Sequence, residues 1–166
     1  MHKVYLKPGK EESLKRFHPW IFSGAISRFD GEPEEGEVVE VYTSKKEFIA
    51  EGHFQIGSIA VRVLSFRQEP INHDFWKRKL EIAYDMRCAI GIAINPVNDT
   101  YRLVHGEGDN LPGLVIDIYA KTAVMPAAVL FPPPGSTVPE SWYSHDPALP
   151  WAAYAVASSR YPGFPE

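Results

Sequence analysis

The chain contains a single cysteine, Cys88. An intrachain disulfide is therefore excluded, and so are metal sites built from paired cysteines. No stretch approaches the roughly 18 consecutive apolar residues that a membrane-spanning helix needs. The opening "MHKVYLKPGKEE" has no apolar run of the kind a secretion signal carries. Excess positive charge is missing too. Lys and Arg number 17 against 21 Asp and Glu, for a net charge of −4, so the total does not mark a nucleic-acid binder. Internal repeats are absent. These absences lead to the expectation of a soluble cytoplasmic protein with no membrane partner.

What is present is enough for a folded core. A chain of 166 residues with 45% hydrophobic content can make one medium domain or two small ones. Charge is unevenly laid out. Residues 1–28 hold six Lys or Arg and two acids, while residues 30–51 hold eight acids and two lysines. Distant charges are screened beyond roughly 10 Å, so a basic beginning can act locally despite the acidic total.

Periodicity divides the chain. Residues 3–7, "KVYLK", alternate and predict a strand closed by Pro8-Gly9. Residues 10–17 predict a short helix with Leu14 and Phe17 on one face, stopped by Pro19. "WIFSGAI", 20–26, predicts a strand. "GEVVEVYT", 36–43, and "FIAEGHF", 48–54, flank "SKKE" as a hairpin, and "IAVRVLSF", 59–66, predicts another strand. About five short strands with one small helix suggest a compact β-barrel-like domain. Residues 72–92 hold the strongest helical pattern. Phe75, Trp76, Leu80, Ala83 and Tyr84 recur at helical spacing, with Asn72 or Asp74 available as cap. Residues 101–119 predict two strands around a Gly/Asp/Asn/Pro turn. Beyond Met125 neither period persists. Nine of the 15 prolines fall in 126–166, and proline can neither continue a helix nor donate within a sheet. That tail is expected to be irregular.

Four groups of residues could carry chemistry. Lys7, Lys10, Lys15, Arg16 and His18 cluster in sequence. Cations contact phosphates, and nearby rings can stack on unpaired bases. A solvated helix face gives the same pattern. Trp20 lies in a predicted strand whose one parity must face the core, and core packing is the favoured role for its ring. Gly106, Gly108 and Gly113 loosely resemble a dinucleotide-binding fingerprint. Pro112 and the strand that follows contradict it, because a phosphate-binding turn must open a helix. His105, Glu107, Asp109 and Asp117 could form an acid/base or metal cluster. Turn chemistry is favoured, with Asp109 and Asn110 closing the hairpin. Cys88, inside a predicted helix, is read as a small buried hydrophobe and not as a nucleophile.

Three stretches in order carry a resemblance. "LKPGKEESLKRFHPWIFSGAI", "RVLSF" and "YRLVHGEGDNLPGLVIDIY" resemble the N-terminal part of the bacterial large-subunit rRNA cytosine-C5 methyltransferases. The resemblance covers about residues 3–125. It implies a PUA domain, a small pseudo-barrel RNA-binding module, over residues 1–70. A linker helix and partial central domain would follow over 72–125, and then the Pro-rich tail, 126–166. It implies RNA, and specifically rRNA, as partner, with Lys7, Lys10, Lys15, Arg16 and His18 where the module meets it. The family's enzymes attack cytosine C6 with a cysteine thiolate and move a methyl group from S-adenosylmethionine to C5. This chain departs from that pattern. It has no cofactor glycine loop, and Cys88 does not occupy the nucleophile motif.

The resulting expectation is an α+β fold, a PUA pseudo-β-barrel followed by a helix and a partial α/β domain. Functionally it is the RNA-binding module of an rRNA methyltransferase, frameshifted or truncated before the catalytic domain. It would have no catalytic residues, no metal and no cofactor site of its own, S-adenosylmethionine belonging to the full-length enzymes. A homodimer is also allowed. Two alternatives stand beside it. One is a methyltransferase completed by a cofactor domain in trans. The other is a protein-interaction module with no RNA role.

Overall fold

The computed structural model describes residues 1–120 and 122–125. The expected irregular tail, 126–166, lies outside the described residues. The chain divides into two compact units between Phe75 and Trp76.

The first unit is a curled six-stranded sheet. Its strands are β1 (His2–Leu6), β2 (Trp20–Phe22), β3 (Ile26–Asp30), β4 (Val38–Tyr42), β5 (Phe48–Phe54) and β6 (Ile59–Ser65). They lie in the order β2-β6-β5-β4-β1-β3. The β1–β4 pair is parallel, and the other neighbours are antiparallel. Alternation puts Val4, Leu6, Val39, Val41, Val61 and Val63 inside, joined by Leu14, Ile21 and Ile26. Each such side chain, fully buried, contributes about 1.5–3 kcal/mol. This is the α+β character expected from the pattern.

Three local expectations fail for physical reasons. The helix expected over 10–17 is one turn, α1 (Glu12–Lys15). Phe17 does not share Leu14's face, because its backbone is left-handed (φ 61°) and swings the ring out to 72% exposure. The strand expected over 20–26 is two strands. A 3₁₀ turn at Ser23–Ala25 separates β2 from β3, bringing the strand count to six. Trp20 does not point into the core. Ile21 is the buried residue of β2, so Trp20 and Phe22 share the opposite, partly open face.

Two ionisable groups are sealed inside this unit. Glu51 on β5 is 1% exposed and accepts the Glu69 backbone N–H at 3.2 Å. Burial, with Glu69 and Glu40 nearby, pushes its carboxyl up to about 7. His53 lies within 2.8 Å of the Gly36 carbonyl through Nδ1, and burial lowers its pKa.

The long helix α2 (His73–Ala89) starts where Asn72 Oδ1 accepts the Phe75 N–H at 3.1 Å, satisfying a donor that the first turn leaves orphaned. The second unit's sheet is β7 (Thr100–His105), β8 (Val115–Tyr119) and β9 (Thr122–Val124), antiparallel in that order. Leu103, Val104, Leu111, Leu114, Ile116 and Ile118 form its core with Ala83 of α2, and Trp76, Leu80 and Tyr84 pack against it. Among the described residues no helix is long and apolar enough to cross a membrane.

Candidate nucleic-acid interface

The basic beginning is organised by β1, α1 and β2. Lys7 leaves β1, and its backbone N–H donates to the Ala25 carbonyl at 2.9 Å. Its ammonium donates to the Gly24 carbonyl at 2.8 Å. Gly9 takes φ 77° in the following turn, a conformation glycine adopts without steric cost. That turn delivers Lys10 to the start of α1. Leu14 anchors α1 in the core, so the helix's polar residues stand outside. Pro19 then leads into β2, and its carbonyl accepts the Val63 N–H at 2.8 Å.

These elements surround a pocket of about 360 Å³. Lys10 lines it from the turn before α1, Ser13 from α1, Trp20 and Phe22 from β2, and Gly24 from the 3₁₀ turn, with Leu14, Ile21 and Ala25 completing it. A side chain at position 24 would meet open space, so the pocket's mouth is bordered by backbone. His18 Nδ1 lies 3.2 Å from the Trp20 N–H and can accept it. Its ring meets Trp20 nearly edge-on at 5.9 Å and Phe22 at 6.5 Å. The Arg62 guanidinium, from the paired strand β6, lies 5.9 Å from the Trp20 ring centre. Chemically this is a half-open slot with aromatic walls and cations at its edge. A flat ring fits the walls, and an anion is favoured at the rim.

The five sequence-nominated residues are not equally placed. Lys10 lines the pocket, and among the described residues its ammonium makes no hydrogen bond or ion pair. Lys7 reaches the Gly24 backbone at its border, and His18 packs on Trp20 and Phe22. Lys15 and Arg16 do not line it. Lys15 is bound to Glu12 at 2.7 Å. That hydrogen bond lowers the Glu12 pKa and raises that of Lys15. Arg16 Nε donates to the Glu12 carbonyl at 3.3 Å. Trp20 and Phe22 line the pocket but are not among the five nominated residues. The signal was available: in "WIF" the central Ile is the best core candidate, which sends both flanking rings to the other face.

In the second unit, the 105–117 cluster is bound up in ion pairs. Arg87 of α2 makes a bidentate pair with Asp109, both largely buried. Burial alone would raise the Asp109 pKa, but Arg87 and the His105 N–H (2.6 Å) hold it below its ordinary value. Asn110 follows in the left-handed region at φ 55°. This is the turn role expected for the pair. Arg102 forks onto Asp117 across the β7–β8 ladder at 2.8 and 3.0 Å. Among the described residues no group of three or more His, Cys, Asp or Glu is placed to hold a metal. S-Adenosylmethionine, implied by the resemblance, does not fit the glycines at 106–113, because they lead into strand β8 and not into a helix. Cys88 is half-buried beside Tyr84, whose hydroxyl is pushed up to about 12, first by burial and then by its hydrogen bond to the thiol.

A family model matches within the first unit, and relatives align over most of the chain. The model of a PUA-like domain matches residues 4–66. A Vibrio cholerae protein named ribosomal RNA large subunit methyltransferase I is 42% identical over 117 residues, covering 70% of this chain and 29% of that protein. The chain thus spans about three tenths of the length of that curated relative. Among solved structures, a SAM-dependent methyltransferase from Streptococcus mutans superposes with a TM-score of 0.63 at 21% identity, over 78% of this chain and 34% of that one. A methyltransferase complexed with SAH gives 0.62 at 20% identity, over 75% and 32%. At such identity these two likenesses are of fold alone. Residues 4–66 match the model of a PUA-like domain, and the proteins this chain is similar to include ones named ribosomal RNA large subunit methyltransferase I.

Proposed function

We propose that this chain is the RNA-binding module of an rRNA cytosine-C5 methyltransferase lineage, and that the α1–β2 pocket is its RNA contact. The observation that carries the reading is the meeting of Lys10 with Trp20 and Phe22 around one open slot. In this reading phosphates lie along Lys7, Lys10 and His18, and a base enters between the aromatic walls. Lys15 and Arg16 supply a second row of charge on the outside of α1, weakened there by Glu12. Residues 72–125 serve as the start of a central domain of the kind such methyltransferases carry. The substrate is structured rRNA, and methyl transfer from S-adenosylmethionine belongs to a cofactor domain, so no step of that chemistry is assigned to these residues.

The test is an RNA-binding titration with large-subunit rRNA fragments at two salt concentrations. Binding should weaken as salt rises, because each neutralised phosphate releases counterions. Lys10→Glu should weaken binding to all fragments and reduce the salt slope by about 1. An unchanged slope would remove Lys10 from the interface. Absence of binding at low salt would favour the protein-interaction alternative.

A further inference from the structure

The end of α1 sets an unusual demand on position 17. The Phe17 N–H donates to the Leu14 carbonyl at 2.8 Å, and the His18 N–H donates to the Ser13 carbonyl at 3.1 Å. This pair of bonds is a Schellman closure, which requires a left-handed residue, usually glycine, at position 17. The chain places a phenylalanine there, at φ 61°. Bulky side chains are disfavoured in that region. Burial does not compensate, since the side chain is 72% exposed. Its ring contact is edge-on to Phe66, with centroids 5.2 Å apart and planes at 87°. Most of the ring therefore faces water. Its sequence neighbours Arg16 and His18 are both exposed, so the open ring is flanked by two groups suited to phosphate.

An exposed ring held in a disfavoured backbone conformation between Arg16 and His18 has a use. We propose that Phe17 is a stacking platform for an unpaired base, so that the RNA held at the α1–β2 site carries a single-stranded loop or bulge. The proposal rests on the RNA-binding reading above and narrows its ligand class. Every base has a π-face, so such a platform favours unpaired over paired RNA without reading sequence. Trp20 and Phe22 line the pocket itself. Phe17 adds a second aromatic surface, from the helix end.

The test compares two RNAs against the full chain by fluorescence anisotropy. One is a hairpin with an unpaired loop, and the other is the same stem as a blunt duplex. Phe17→Gly suits the backbone and removes the ring. It should weaken hairpin binding about fivefold or more. Duplex binding and the salt slope should stay unchanged, because no phosphate contact is lost. Phe17→Trp should retain hairpin affinity. Phe17→Leu, apolar but without a ring, should behave like Phe17→Gly and serves if the glycine variant misfolds. Hairpin affinity unchanged in both the Gly and Leu variants would overturn the proposal, as would equal losses on both RNAs. Failure of the unaltered chain to bind either RNA would instead overturn the RNA-binding reading, and this proposal with it.

Discussion

Replacing the buried Glu51 by glutamine should make the first unit more stable in mild alkali. Glu51 is 1% exposed, and burial beside Glu69 and Glu40 raises its carboxyl from 4.5 to about 7. Between those two values the folded protein holds a proton that the unfolded chain has released. Stability therefore falls as pH rises through that window. The contribution is fully present below about 4.5 and lost above about 7. Each pKa unit corresponds to 1.36 kcal/mol, so the cost of ionising Glu51 in place is at most about 3 kcal/mol at pH 8. Glu51→Gln carries no charge and keeps an oxygen to accept the Glu69 N–H, so it should recover much of that amount at pH 8 and little at pH 4.5. His53 works in the opposite direction. Its depressed pKa gives stability that is present above about 6.5 and lost on acidification. In the unaltered chain the two slopes oppose one another, whereas Glu51→Gln leaves only the histidine slope. The assay is hydrogen exchange of the slowest β4 and β5 amides, which reports the opening free energy of this unit directly. A variant less stable than the parent at pH 8, or one with the parent's pH profile, would refute the reasoning.

Two further perturbations follow from packing and pairing. A methyl group at Gly52 would collide with the Arg62 carbonyl and the Val63 backbone on the neighbouring strand. Gly52→Ala should therefore destabilise the first unit by about 1–3 kcal/mol or more, read as a lower urea midpoint, and a neutral result would show that β5 and β6 can move apart. Arg87→Met leaves the largely buried Asp109 carboxylate without its fork. It should cost the second unit about 3 kcal/mol at neutral pH. The cost should shrink on acidification, because Asp109's lowered pKa gives stability that is lost as pH falls below about 3.8. Thermal melts across pH check both the size and that convergence.

Some elements could be read from the sequence because their signal is local. Strand β4 alternates cleanly, and β5 occupies the run expected for it, Phe48–Phe54. Helix α2 shows both its periodicity and its cap. What escaped depends on geometry between distant or competing groups. Strand β3, "ISRFD", buries only Ile26, so it lacks the period of two that marks a strand. The turn at Ser23–Ala25 sits inside an apolar run, where composition hides it. Spacing of three placed Phe17 beside Leu14 only on the assumption that the helix continued, and α1 ends two residues too soon. Nothing in the run Phe48–Phe54 marks Glu51 as buried. It is sealed because the chain after β6 lays Glu69 across it, a contact between residues 18 apart. In the candidate site, the cations were visible as a cluster. Which of them share a pocket with Trp20 and Phe22 depends on how α1 and β2 meet.

The central claim is that RNA meets this chain at the α1–β2 pocket. The most direct measurement is an NMR titration of the chain with an rRNA-derived hairpin, following backbone amides and the Trp20 indole. The account predicts the largest shifts at Lys10, Ser13, Trp20, Phe22 and Gly24, with β7–β9 unaffected. Shifts centred elsewhere, or none at saturating RNA, would contradict it.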